Sequence, residues 1–237
     1  MAYISLSTPA LPYPTAMHIP DGFLSGPVAG VGYALTTVFV AIAVWRTNRS
    51  LGEKSVPLMG VTAACIFAAQ MMNFPVAGGT SGHLLGATLA AILVGPWAAI
   101  IVMTSVVGIQ ALMFQDGGLA ALGFNVFNMG VIAVLVGYGV YYLTTLLANG
   151  QKGWILPTGV FVASWITVML AAFATSIELA VSDTSPLNVV LPAMMGVHAL
   201  IGIGEGLITA AAVTFVLTTR PDLIEQPRRV VPQGGLS

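Results

Sequence analysis

Seven stretches of this chain carry almost no charge and approach the length of a bilayer crossing: 27–45, 56–73, 83–95, 97–114, 123–147, 154–180 and 189–218. A hydrocarbon core of ~30 Å takes ~20 apolar residues in a helix that rises about 1.5 Å per residue. Only 6% of the 237 residues are Asp, Glu, Lys or Arg. A soluble domain of ordinary composition carries roughly 25%. So little charge cannot keep seven such runs in water, and lipid must be the solvent over much of the surface. The runs are separated by turn chemistry: Arg46 to Ser55, Pro75 to Gly82, Gly95-Pro96, Asp116-Gly117-Gly118, Asn149 to Gly153 and Asp183 to Pro186. Net charge is −1, with no long basic run, which argues against a nucleic-acid partner. The single cysteine, Cys65, excludes an internal disulfide.

The third run is short and could join the fourth as one helix broken at Gly95-Pro96. Charge placement separates the two arrangements. With seven crossings, the loop 46–55, the loop 148–153 and the C-terminal tail share one side. They hold Arg46, Arg49, Lys54, Lys152, Arg220, Arg228 and Arg229, which are all 7 Lys and Arg of the chain. With six crossings the same residues divide three against four. Cytoplasmic loops are enriched in Lys and Arg, so the expected fold is all-α and integral to the membrane. It has seven transmembrane helices, the N-terminus outside and the C-terminus cytoplasmic. Asp21, Asp116 and Asp183 then lie outside. So do His18 and His83, and His198 enters the last span from its outer end.

All 3 histidines therefore fall in the outer half. A neutral imidazole is a ligand for Ni, Co, Cu or Zn. An ionisable group at membrane depth is a functional candidate by default. His83 follows Gly78-Gly79-Thr80-Ser81-Gly82, a loop that lets backbone approach a ligand; its plainer role is a loop-end histidine bonded to backbone. His198 and Glu205 are seven apart, on one helix face, and read foremost as a hydrogen-bonded packing pair. Glu178, Asp21 and Asp116 read as interfacial carboxylates, and Met71, Met72, Met194 and Met195 as apolar filler. Trp45, Trp97 and Trp154 read as anchors at the inner interface. The spans contain no lysine, which excludes a retinal-type Schiff base. No phosphate-binding Gly-Lys-Ser/Thr motif is present, so ATP-driven work would need another chain.

Four segments carry a family resemblance. They are Met17-His18-Ile19-Pro20-Asp21-Gly22-Phe23-Leu24-Ser25, the stretch from Phe74 to Gly86, the stretch from Gly117 through Asn125-Val126-Phe127-Asn128-Met129-Gly130, and His198 to Glu205. Together they resemble the CbiM/NikM proteins, the substrate-capture (S) components of cobalt and nickel energy-coupling-factor (ECF) transporters, over about residues 17–219. The resemblance implies seven membrane helices and a metal held by four nitrogens. These are the α-amine of Met17, the backbone nitrogen of His18, the imidazole of His18 and the imidazole of His83. Such a set closes two adjacent chelate rings and suits a tetragonal or square-planar ion. It also implies Ni2+ or Co2+ as cargo and a cytoplasmic-membrane location. The implied partners are a coupling subunit of the CbiQ/NikQ type, ATPases of the CbiO/NikO type and a small CbiN/NikN-type membrane subunit. The variant Ile19-Pro20-Asp21-Gly22 leans toward the nickel-type members.

One feature departs from the family pattern. Residues 1–16 precede Met17, so its nitrogen is an amide as the sequence is written. Met1 to Ala16 is uncharged, contains Pro9, Pro12 and Pro14, and lacks the basic start and continuous apolar core of a signal peptide. The expectation is a mature N-terminus at Met17, reached by translation starting there or by removal of a leader after Ala16. The organisation is then 1–16 as leader or misassigned start, 17–219 as one membrane domain, and 220–237 as a cytoplasmic tail.

Two further readings belong to other classes. Gly79-Thr80-Ser81-Gly82 matches a G-x-S-G pattern at a helix start, and with His198 as base it would suggest an intramembrane serine protease. An S component for a vitamin would share the general fold, but gives no reason for two histidines at the outer mouth.

Overall fold

The computed structural model describes residues 18–50, 52, 55–71, 74–76, 80–148 and 153–224. Helices occupy all seven apolar stretches. They are α1 (Gly26–Ser50), α2 (Ser55–Gln70), α3 (Ala87–Val94), α4 (Pro96–Phe114), the composite α5 (Leu122–Val126) and α6 (Ala133–Ala148), α7 (Ile155–Val181) and α8 (Leu187–Thr219). Between α5 and α6 the helix is wound as a π-helix over Phe127–Ile132, so 122–148 is one continuous rod.

Five of these rods are long and apolar enough to cross a bilayer: 26–49, 96–114, 122–148, 155–181 and 187–219. The chain is an integral membrane protein. Helix α2, with 16 residues, spans about 24 Å, and α3, with 8, spans about 12 Å at ~1.5 Å per residue. Neither matches the hydrocarbon thickness alone. The fold is also not purely helical. Strands β1 (Phe74–Val76) and β2 (Thr80–Gly82) pair antiparallel, with Phe74 opposite Gly82, Pro75 opposite Ser81 and Val76 opposite Thr80. An apolar-run criterion is blind to three-residue strands such as Phe74–Val76.

The reason α3 is short is written at its ends. It begins after Gly86, whose φ of 73° is left-handed, and stops at Gly95, with φ 79° and ψ 161°. Pro96 then opens α4, where its fixed φ and missing N–H suit a helix start. The chain reverses there, and α3 lies against α4 rather than continuing it. The joined-helix alternative is thereby replaced by a hairpin of unequal arms. The short arm is central: α3 touches α2, α4, α6, α7 and α8. Its Ala87, Ala90, Ala91 and Ile92 are fully buried. Small side chains here let the surrounding helices close in, which is how membrane bundles pack without a hydrophobic drive between helices.

Large apolar side chains face outward along the bundle: Val31, Val38 and Trp45 on α1, Leu112 and Met113 on α4, Leu147 on α6, and Leu200, Leu207 and Phe215 on α8. In water such a surface would aggregate; in a bilayer it is the solvated face.

Both ends of the bundle are defined by contacts. At one end the Gly118 amide donates to the Ile19 carbonyl at 2.8 Å, and the Thr184 hydroxyl donates to the Phe23 carbonyl at 2.5 Å. The segment before α1, the α4–α5 loop and the α7–α8 loop therefore meet. At the other end the Arg46 guanidinium lies 5.6 Å from the Trp45 ring centre and 5.4 Å from that of Trp97, joining the end of α1 to the start of α4. Ile224, beyond α8, is buried with Tyr141 and Val160.

Candidate metal site

The segment 18–25 enters the bundle as a plug, and its peptide groups explain how it is held. The Ile19 N–H donates to Asn125 Oδ1 at 3.0 Å, and Asn125 Nδ2 donates back to the Ile19 carbonyl at 3.1 Å. One side-chain amide thus brackets one residue's backbone, as a neighbouring strand would. Two residues on, Asp21 Oδ1 accepts the Ala120 N–H at 2.7 Å. The Ile19 side chain is buried with Ala121 and Phe124. Gly117 is needed for the fit. Its φ is 96°, and a Cβ there would come within 2.7 Å of the His18 Cβ.

This seating buries His18, which is 6% exposed. Its ring centre lies 5.1 Å from that of His83, with the planes inclined at 39°. The N-terminal segment does bring the two imidazoles together at the mouth of the bundle. His18 Nδ1 is 3.3 Å from Asp116 Oδ1 but out of line for a hydrogen bond, so the contact is electrostatic. His18 Nε2 has no hydrogen-bond partner among the described residues. Neither ring nitrogen is therefore committed to a donor role. An orphaned buried nitrogen is costly unless something binds it.

His83 is 8% exposed and sits on the loop between β2 and α3, ahead of the helical segment. Its Nδ1 is 2.8 Å from the Leu84 carbonyl. A carbonyl can only accept, so the proton is on Nδ1 and the lone pair is on Nε2. Ligating histidines are commonly oriented in this way by a carbonyl on the other nitrogen. With its proton on Nδ1, the ring offers the Nε2 lone pair, as a ligand must.

Among the described residues, no three His, Cys, Asp or Glu side chains are grouped so as to hold a metal ion. Met17 and residues 1–16 lie outside the described residues, as do Gly78 and Gly79 of the glycine-rich loop.

The CbiM family model, described as the cobalt uptake substrate-specific transmembrane region, matches residues 18–223. The chain belongs to the CbiM family. It is similar to a putative fused nickel transport protein NikMN of Archaeoglobus fulgidus, at 43% identity over 212 residues, covering 89% of this chain and 68% of that protein. It is also similar to a putative metal transport protein of Haloquadratum walsbyi, at 41% identity, covering 88% of this chain and 93% of that one. A crystal structure of a truncated transition metal transporter superposes with a TM-score of 0.76 at 39% identity. It covers 85% of this chain and 99% of that one. Relatives of this kind indicate a transporter rather than an enzyme.

Within this CbiM-family chain, several residues stand elsewhere than the sequence suggested. Asp116 is not a simple interfacial carboxylate: it is 8% exposed and faces His18. Glu178 is buried in the wall of an apolar groove between α1 and α7, where it accepts Asn128 Nδ2 at 3.0 Å. Glu205 does not pair with His198. It reaches across to the His83 loop, accepting the Leu85 N–H at 2.9 Å and the Gly86 N–H at 2.8 Å. His198 Nδ1 is 2.8 Å from the Met194 carbonyl of its own helix. Ser81 lies in β2 and not at a helix start, which removes the premise of the protease pattern. Asn125 lies in the third motif, and the motif alone does not reveal its role. Its signal was an amide in an otherwise apolar run, expensive in a membrane unless it serves a partner.

Proposed function

We propose that this protein is the metal-capture subunit of an ECF-type transporter that imports Ni2+ or Co2+ across the cytoplasmic membrane. The observation that carries the reading is the buried imidazole pair, His18 against His83, at the mouth of a membrane bundle. The names of the relatives, nickel and cobalt transport proteins, support the choice of ion.

The ligand set is the Met17 amine, the His18 backbone nitrogen, the His18 imidazole and His83. In that set the amine and the next amide nitrogen close a five-membered ring, and His18 Nδ1 closes a six-membered one. His83 Nε2 fills the fourth corner. Asp116 supplies negative charge beside the ion, which matters in a site of low polarisability. The amine exists only if Met17 is the first residue of the mature protein. Seven passes are counted when α2 is a short span and α3, with the extended loop before it, is a span of its own ahead of α4. The N-terminus is outside and the C-terminus cytoplasmic, in line with the Lys and Arg distribution. Energy comes from separate ATPases of the CbiO/NikO type through a CbiQ/NikQ-type coupling subunit. A small CbiN/NikN-type subunit completes the assembly, and the fused name of the Archaeoglobus relative favours it.

The test is metal analysis of the purified protein, with Ni2+ and Co2+ in competition and the N-terminus sequenced in the same sample. The expected result is one bound ion per chain starting at Met17, lost in His18→Ala and strongly weakened in His83→Ala. An intact N-terminus at Met1 or Ala2 with undiminished binding would overturn the ligand set. Absence of specific Ni2+ or Co2+ binding would overturn the function.

A further inference from the structure

We propose that Glu205 is a positioning residue for metal capture, a carboxylate on the last helix that fixes where His83 stands. The proposal rests on His83 being a ligand, as argued above.

The loop from His83 to Gly86 has little regular structure of its own, yet its peptide groups are tied down. The Leu84 carbonyl takes the His83 ring proton. The Leu85 carbonyl accepts Gln70 Nε2 of α2 at 2.6 Å. The two adjacent amides, Leu85 and Gly86, both point at one carboxylate, that of Glu205, one to each oxygen. Glu205 is 1% exposed, and both bonds cross about 120 positions of sequence. No local preference places a carboxylate there.

Helix α3 shows why one is useful. Gly86, its N-cap, has no side chain to cap with, and no side-chain cap bond is present. The start of a helix leaves amides without partners and carries partial positive charge. A carboxylate supplied from α8 instead accepts the amide of the N-cap, Gly86, and the one before it, Leu85, where unpaired amides are costly. Bonded to the amides two and three positions after His83, Glu205 acts on the ligand through the backbone. The bundle holds Glu205 itself in register: α8 is pressed onto α7, where a Cβ at Gly206 would fall within 2.6 Å of the Phe161 ring. His83 is therefore positioned from the helix furthest from it in sequence.

The substitution to make is Glu205→Gln. It preserves volume and one acceptor, but turns an NH2 toward an amide that needs an oxygen. Two measurements on the purified protein, with the N-terminus it carries in the cell, decide the matter. The first is Ni2+ affinity of the unsubstituted protein, Glu205→Gln, His83→Ala and the double variant. Removing the partner that orients a ligand weakens metal affinity by roughly 10–100-fold. The expected result is a loss in that range for Glu205→Gln alone and no further loss when it is added to His83→Ala. Equal losses in both backgrounds would mean that Glu205 only stabilises the fold, and unchanged affinity in the single variant would also overturn the proposal. The second measurement needs no metal: hydrogen exchange across residues 84–87. Glu205→Gln should speed it, and unchanged exchange would mean that Glu205 does not hold the loop. If His83→Ala leaves Ni2+ affinity intact, the ligand assignment fails instead, and the exchange result alone then judges the clamp.

Discussion

Single residues at this site do work that their type alone does not announce. Asp116 is the clearest case. A carboxylate at a helix end reads as a solvated cap, and nothing local distinguishes it from Asp183. The difference is made by residues 98 positions away, because the plug brings His18 to within 3.3 Å. Asp116→Asn keeps the shape and removes the charge. It is expected to weaken Ni2+ affinity by on the order of 10-fold, as loss of partners beside a ligand does. Titration of the variant against a competing chelator measures it, and an affinity equal to that of the unsubstituted protein would remove Asp116 from the site. Gly117 makes a second residue-scale prediction. A methyl group would require the strained φ of 96° and would push on His18. Gly117→Ala should therefore destabilise the seated plug by about 1–3 kcal/mol, the usual range for such backbone strain. Faster metal release, followed by stopped-flow chelation, is the readout.

At the scale of elements, the seven apolar stretches were legible because bilayer thickness imposes a length on any chain that crosses it. Six of them became helices close to the expected bounds. The third shrank to α3, because Gly86 and Gly95 set its limits by backbone conformation, which a count of apolar residues does not weigh. The π-helix over Phe127–Ile132 was illegible for a different reason: its wider winding depends on what packs around it and leaves no periodicity of its own. It begins two residues after Asn125 and contains Asn128, so one rod presents two amides to different partners, the plug and Glu178. The candidate histidines were visible as costly residues in apolar surroundings. The side chains that hold the backbone beside them, Asn125 and Glu205, stand out in the same way, but not the pairing, since the bonds span more than 100 positions. Asn125→Ala tests the latch between elements. It removes an acceptor and a donor from the Ile19 backbone, while the Gly118 amide keeps its bond to the Ile19 carbonyl. The expected cost is about 1–3 kcal/mol for the unpaired amide. It should appear as faster hydrogen exchange at Ile19 and weaker metal retention, with the α7–α8 pair unaffected. Exchange at Ile19 that did not change would show that the plug is held by its apolar side chains alone.

For the molecule as a whole, the question is which end of the bundle faces the exterior. The contacts fix the relation between ends: the plug, the α4–α5 loop and the α7–α8 loop share one, and Arg46 with Trp97 marks the other. Every Lys and Arg of the sequence belongs to the loops and tail of that second end in a seven-pass arrangement. Positively charged loops stay cytoplasmic. On the proposed function a capture site is useful only where the cargo is, so the imidazole pair and the charge bias favour the same orientation by independent arguments. Odd and even numbers of passes separate cleanly in experiment. Cys65, the only cysteine, is replaced by serine, and single cysteines are introduced as Ser185→Cys in the α7–α8 loop and Lys152→Cys in the α6–α7 loop. In intact cells a membrane-impermeant maleimide should label the first and leave the second untouched until the membrane is opened. The reverse pattern would put the histidines on the cytoplasmic side and turn a capture site into a release site. Labelling of Ser185→Cys and of a cysteine at the C-terminus from the same side would mean that the last helix does not cross, and the charge argument for seven passes would fall with it.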